Sequence, residues 1–185
     1  MLIFETHRLD LRPLGEGDEA LYCRLYTDPE VMRHIGAPLS LGAAQRAFRA
    51  VTRATQRSAP SLCSWVLSER ASSADIGILA LIGQGDIAGT AEIGTMLVPA
   101  AQGRGLAVEA QTVLLDHLFN DPGLRMVWSR NAPGNGAAIG VRLKLGFMRV
   151  DTVDDDIHEV RWEMTRDRWG TCRLGAGMEK RDEHR

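Results

Sequence analysis

The chain is poor in cysteine, nearly neutral, and without any long apolar run, and each shortage removes a class of protein. Its three cysteines, Cys23, Cys63 and Cys172, are odd in number and far apart, with no C-x-x-C, which argues against a disulfide framework and against a zinc site. The 22 basic and 24 acidic residues leave a formal charge of −2. No whole-molecule positive field therefore directs it to nucleic acid or to an anionic membrane. The opening MLIFETHRLD carries charges within ten residues and is too short of apolar residues for a signal peptide or a membrane span. These absences predict a soluble, unexported protein of the cytoplasm with no nucleic-acid or membrane partner. No histidine or carboxylate pair has metal-ligand spacing, and no cysteine has a recognisable catalytic partner, so neither metal nor covalent catalysis is expected.

What is present is 185 residues of mixed helix and strand patterning, enough for one ordinary domain with a core of its own. Leu2 to Leu11 alternates loosely and reads as a first strand. Asp18 is a natural N-cap for a helix carrying Leu21, Tyr22 and Leu25, which Asp28-Pro29 interrupts. A short helix through Val31 and His34 follows, then a longer one capped by Ser40 with Leu41, Ala44, Ala47, Phe48 and Val51 as its apolar stripe. Leu62 to Ser68 and Ile76 to Ile82 form a hairpin, and AEIGTMLVP is a third strand that Pro99 ends. A helix from about Gly105 to Phe119 buries Leu106, Ala110, Val113, Leu114 and Leu118. Beyond a strand at Met126 to Arg130, Asn135 caps a further helix, with Ile139 and Leu143 on its buried face and Gly146 at its end. Met148 to Val153 and Glu159 to Met164 make a last hairpin around DDDIH, and from Gly170 the glycines and mixed charges predict a frayed tail. There is no internal repeat and no linker.

One stretch asks for a chemical explanation. Ala101 to Gln111 reads AQGRGLAVEAQ, a strand running into Gly103-x-Gly105 and at once into strong helix formers. Such a loop aims unpaired backbone N–H groups and the positive end of the helix dipole at one point, and anions bind there. The glycines let a phosphate approach the main chain, and Arg104 adds charge at the rim. The nucleotide P-loop needs G-K-[ST], where this chain has Gly105-Leu106-Ala107. The dinucleotide fingerprint needs a third glycine, where it has Val108, and an acidic strand end about twenty residues on, where Asp121 lies in a turn. A glycine turn that merely joins strand to helix is the remaining alternative.

Gln102-Gly103-Arg104-Gly105-Leu106-Ala107 matches the Q/R-x-x-G-x-G/A signature of the GNAT superfamily of N-acetyltransferases. The resemblance extends over about Phe4 to Trp169, through ETHRLDLRPL, DPEVMRHIG, AEIGTMLVP, GLAVEA and the run from Asn135 to LKLGF, and is similar to the branch of the ribosomal-protein alanine and serine N-acetyltransferases. It implies an α+β fold: one domain over residues 1–169, a mostly antiparallel twisted sheet of about six to seven strands with helices on both faces, and a flexible tail over 170–185. It also implies acetyl-CoA as co-substrate without a metal. The pyrophosphate would be held by Gln102, Gly103, Arg104, Gly105, Leu106 and Ala107, and the pantetheine arm would pair as an added strand with the main chain of Leu97 and Val98. Asn135 would lie near that arm, as well as or instead of simply capping its helix.

The acceptor the resemblance implies is an amine, on a protein N-terminus or a small molecule, and the protein would be a monomer or homodimer. Glu92 is placed to take the amine proton, directly or through water, or else pairs with an arginine across the sheet. His34 lies in the region that shapes the acceptor pocket. Relatives often carry a tyrosine or serine hydroxyl on the helix after Asn135 to protonate the departing thiolate, but this chain has Ala138 and no hydroxyl from Asn135 to Phe147. Its only tyrosines, Tyr22 and Tyr26, are distant in sequence, so water is the expected proton source. The same gap keeps open a second reading, a coenzyme A-binding module with little catalysis that works as a sensor or partner protein. Arg46, Arg49, Arg53 and Arg57 fall on one helical face that reads as solvated, and Asp154, Asp155, Asp156 and His158 form either an exposed turn or a lure for a cationic amine.

Overall fold

The structure, a computed structural model, describes residues 2–55, 62–83, 88–150 and 159–182, with side chains as far as residue 174. The N-terminal run expected as one strand is two, β1 (Phe4–Glu5) and β2 (Leu9–Pro13). Thr6 closes the turn between them, its N–H donating to the Leu9 carbonyl at 2.8 Å and its hydroxyl oxygen accepting from the Leu9 N–H at 2.9 Å. Helix α1 (Glu19–Thr27) follows, but the Asp18 side chain does not cap it, accepting instead from the Gly15 N–H at 2.7 Å and from both Arg12 amino groups. Asp28 opens the short α2 (Pro29–Met32), and Ser40 accepts from the Ala43 N–H at the start of α3 (Leu41–Thr55). Helix α3 buries Ala44, Phe48 and Thr52, leaving Arg46, Arg49 and Arg53 in solvent, while Arg57 lies outside the described residues.

Strands β3 (Leu62–Glu69) and β4 (Ala74–Gly83) form the expected hairpin and β5 (Thr90–Leu97) pairs antiparallel with β4. A single turn of 3-10 helix at Pro99–Ala101 leads through the glycine loop into α4 (Leu106–Leu118), then β6 (Met126–Asn131) and α5 (Gly136–Leu145), which Gly146 ends at φ 82°. Strands β7 (Met148–Val150) and β8 (Val160–Thr165) and helix α6 (Arg166–Asp182) complete the described residues. Asp154, Asp155, Asp156 and His158 fall outside the described residues.

The eight strands make one sheet in the order β1-β2-β3-β4-β5-β6-β8-β7, and the split first strand accounts for the one beyond seven. All neighbours are antiparallel except β5 and β6. Successive residues on the central strands bury opposite ways, which explains their near-continuous apolar runs. Val66 and Ile78 join Leu21, Tyr22, Leu25 and Phe48 under α1 and α3, whereas Leu67, Leu79 and Ile93 pack with Leu106, Ala110 and Leu114 of α4. Helices cover both faces, as expected.

Residues from Gly170 onward, expected as a frayed tail, continue helix α6 as far as Asp182. Its anchor is Trp169, 6% exposed, whose indole N–H donates to Asp116 at 3.0 Å, and Arg173 adds an ion pair to the same carboxylate at 2.9 Å. No helix among the described residues is long and apolar enough to cross a membrane.

Candidate active site

The site begins where two parallel strands part. β5 and β6 pair only through Thr90, Ala91 and Glu92 with Met126, Val127 and Trp128, after which β5 runs on to Leu97 beside β4 alone. The Val98 N–H donates to the Ile76 carbonyl at 2.9 Å, so Val98 faces β4. By the alternation of an antiparallel ladder, Thr95 and Leu97 turn their N–H and C=O groups to the open side. This corrects part of the sequence reading: Leu97 lies on the free edge, but Thr95 is its companion, and Val98 has committed its N–H elsewhere. The sequence names the strand but not which of its edges is left bare. Gln102 steadies the edge, its amide donating to the Leu97 carbonyl at 3.0 Å.

The loop then turns through two left-handed glycines, Gly103 at φ 72° and Gly105 at φ 78°. A Cβ at Gly103 would meet nothing within 4 Å and one at Gly105 only Arg8 Nη2 at 3.6 Å, so backbone conformation rather than crowding demands glycine at both. Helix α4 starts immediately, presenting its first N–H groups and dipole to the gap. Arg104 does not supply charge there: its guanidinium pairs with Glu69, and it does not line the cavity. The cation behind the loop is Arg8, which the sequence reading passed over. Its Nη1 donates to the Arg104 carbonyl at 2.9 Å and its Nε to Glu109 Oε2 at 2.6 Å. Glu109 also accepts from the Thr6 hydroxyl and the Arg8 N–H. Burial pushes its carboxyl up, but these hydrogen bonds and the Arg8 charge outweigh it and hold Glu109 below the usual range.

Between β5, α4 and α5 lies a cavity of ≈ 580 Å³. The edge residues Thr95 and Leu97, loop residues Gln102, Gly103, Gly105, Leu106 and Ala107, and Asn135 all line it. His34, on the turn after α2, lines its other end, and a Cβ at Gly134 would sit 4.0 Å from His34 Cε1. Asn135 caps α5, its Oδ1 accepting from the Ala138 N–H at 3.0 Å, and Ala138 presents a methyl to the cavity. Tyr22 and Tyr26 stack on each other at 4.3 Å and do not line it.

Glu92 stands on the opposite face of β5 from Thr95, together with Gly94 and Met96. Met96 lines the cavity, Glu92 does not, and a Cβ at Gly94 between them would meet nothing within 4 Å. The carboxylate pairs with Arg130 Nε at 3.1 Å, and Arg130 in turn with Glu159 at 3.5 Å. The arginine pairing left open by the sequence is therefore present.

Helix α5 corrects a second expectation. Leu143, assigned to its buried face, is 62% exposed, and the buried residues are Arg142 and Leu145, each 4% exposed. Arg142 Nη1 donates to Gln111 Oε1 at 2.6 Å, and Gln111 Nε2 donates to the Thr95 hydroxyl at 2.8 Å. The guanidinium also lies 5.1 Å from the Phe147 ring centre, its Nε has no partner among the described residues, and burial lowers its pKa to about 10.

A free strand edge leading into a glycine nest at a helix N-terminus suits a long ligand with an extended amide-bearing arm and an anionic end. The same fold occurs in known proteins. The family model described as an acetyltransferase (GNAT) domain matches residues 8–148. Among solved structures, the chain is similar to the ribosomal-protein α-N-acetyltransferase RimL in complex with coenzyme A, at 17% identity over 90% of this chain and 99% of that one, with a TM-score of 0.74. It is similar to an aminoglycoside acetyltransferase in complex with coenzyme A, at 22% identity over 89% and 99%, TM-score 0.74. It also resembles the spermidine N-acetyltransferase of Vibrio cholerae in complex with CoA and spermine, at 20% identity over 89% and 99%, TM-score 0.72. With the domain model covering residues 8–148, from β2 to the start of β7, the chain belongs to the GNAT acetyltransferase family.

Proposed function

We propose that this protein is an acetyl-CoA-dependent N-acetyltransferase that transfers the acetyl group directly to a primary amine on a protein N-terminus or a small molecule. The observation that carries the reading is the continuity of the Thr95–Leu97 edge with the Gly103–Gly105 nest along one cavity. The donor supplies an activated thioester. The N–H groups of residues 103–107 bind its pyrophosphate with the α4 dipole behind them, Gln102 holds the loop against β5, and Thr95 and Leu97 offer main-chain partners to the arm. Asn135 keeps the mouth of α5 in place beside the arm, and His34 contacts the acceptor.

The attacking amine must be neutral. An α-amine near pKa 8 meets that demand more readily than a lysine near 10.4, and Glu92 takes the proton across the open surface of Gly94, directly or through water. The structural neighbours named above act on a ribosomal protein, an aminoglycoside and spermidine, which keeps the acceptor class at amines. Ala138 favours a second reading, a coenzyme A-binding module with little turnover. A thiol-release assay with acetyl-CoA over peptides, amino-acid derivatives, polyamines and aminoglycosides separates them. Turnover with any acceptor supports the enzyme; tight coenzyme A binding with none across the panel supports the module.

A further inference from the structure

Transfer from a thioester ends with a carbon–sulfur bond breaking and its electron pair remaining on sulfur. At Ala138 the cavity offers only a methyl, so no hydroxyl of α5 meets that charge. The cavity does hold cations: Arg33, Arg142 and Lys144 line it together with the His34 imidazole, and Glu30 is an acidic neighbour. Arg33 and Lys144 are exposed, where water weakens their field, and His34 is half-buried. Arg142 alone among them is buried, and no carboxylate among the described residues pairs with it. An uncompensated buried cation destabilises a fold relative to an apolar residue of similar size, so its presence calls for an anion that arrives from outside.

Its placement fits. Ala138 and Arg142 are one turn apart on α5 and both line the cavity. The guanidinium is aimed by Gln111, which is itself oriented by Thr95 on the open edge of β5. The pyrophosphate nest is remote from it, because Gln111 lies five residues beyond Leu106, about 8 Å along the helix at 1.5 Å per residue.

We propose that Arg142, positioned by Gln111, is a catalytic residue that receives the departing coenzyme A sulfur as a thiolate. The inference rests on the donor site of the proposed function. As the amine nitrogen bonds to the acyl carbon, its proton passes to Glu92 or water. The carbon–sulfur pair moves onto sulfur, which Arg142 stabilises by charge until water protonates it.

The test is the ultraviolet thiolate titration of coenzyme A bound to the wild-type protein, Arg142→Met and Arg142→Lys. A free thiol titrates near 8.5. In the wild-type complex the bound thiol is expected about one unit lower, a roughly tenfold rise in the thiolate-to-thiol ratio. Arg142→Met returns it to the free value, and Arg142→Lys, which keeps the charge, retains most of the shift. Turnover of Arg142→Met falls about tenfold with the KM for acetyl-CoA unchanged, while its Tm holds or rises because a costly charge is gone. Coenzyme A that binds both proteins with the same thiol titration overturns the inference and leaves the donor site standing, as does a KM that rises with kcat unchanged, which makes Arg142 a contact of the arm. A wild-type protein that binds no coenzyme A removes the donor site and the inference together.

Discussion

The Glu92 carboxylate lies 3.1 Å from Arg130 Nε, at the point where β5 and β6 part. An ion pair across a sheet and a proton acceptor for an amine are compatible roles, since the pair orients the carboxylate without using up its second oxygen. Glu92→Gln is expected to lower kcat about 100-fold with the KM for acetyl-CoA unchanged, read by steady-state thiol release. Unchanged kcat assigns the carboxylate to the sheet alone.

Gly77 and Gly94 sit on neighbouring strands and make opposite predictions. A Cβ at Gly77 would stand 2.3 Å from the Met96 carbonyl oxygen and 2.6 Å from Leu97 Cδ2, so a side chain there pushes β5 out of register with its partner. Gly77→Val should cost about 1–3 kcal/mol in urea unfolding and weaken coenzyme A binding by displacing the Thr95–Leu97 edge. Gly94→Val projects into open space, so stability and coenzyme A affinity stay near wild type while the KM for the amine rises. Equal effects of the two substitutions contradict this division of the strand's faces.

Two carboxylates tie stability to pH. For Asp18 burial raises the pKa, but hydrogen bonds from Arg12 and the Gly15 N–H, with the Arg12 charge, bring it below the ordinary value, and Glu109 is lowered in the same way by Thr6 and Arg8. Both bind protons less readily folded than unfolded. Their contribution is therefore complete above the ordinary carboxylate range near 4 and is lost as pH falls through and below it. Urea unfolding between about pH 6 and 2 should show this slope, and Asp18→Asn with Glu109→Gln should flatten it. An unaltered slope in the double variant places the acid sensitivity elsewhere.

The elements that make the donor groove were legible because their signals are local. Pro99 ends a strand, Gly103 and Gly105 supply a left-handed turn, and Asn135 and Gly146 bracket a helix within a few residues of each other. What escaped depends on partners far along the chain. Arg8 is 96 residues from the Arg104 carbonyl that it holds, and Trp169 is 53 from Asp116, so neither the buttress of the loop nor the anchor of α6 shows in spacing. Arg142 was missed for a different reason: helical periodicity looks for apolar residues on the inner face, and this helix turns Leu143 outward and buries a guanidinium instead.

The account as a whole stands on binding of coenzyme A across the Gly103–Gly105 nest. Isothermal titration of coenzyme A into the wild-type protein and Gly105→Trp, with circular dichroism of both, tests it most directly. A tryptophan there must adopt φ 78° and would cover the first N–H groups of α4. Saturable binding to the wild type, and its loss in a variant with an unchanged spectrum, is the predicted result. Equal affinity in the two folded proteins, or no binding to the wild type, contradicts it.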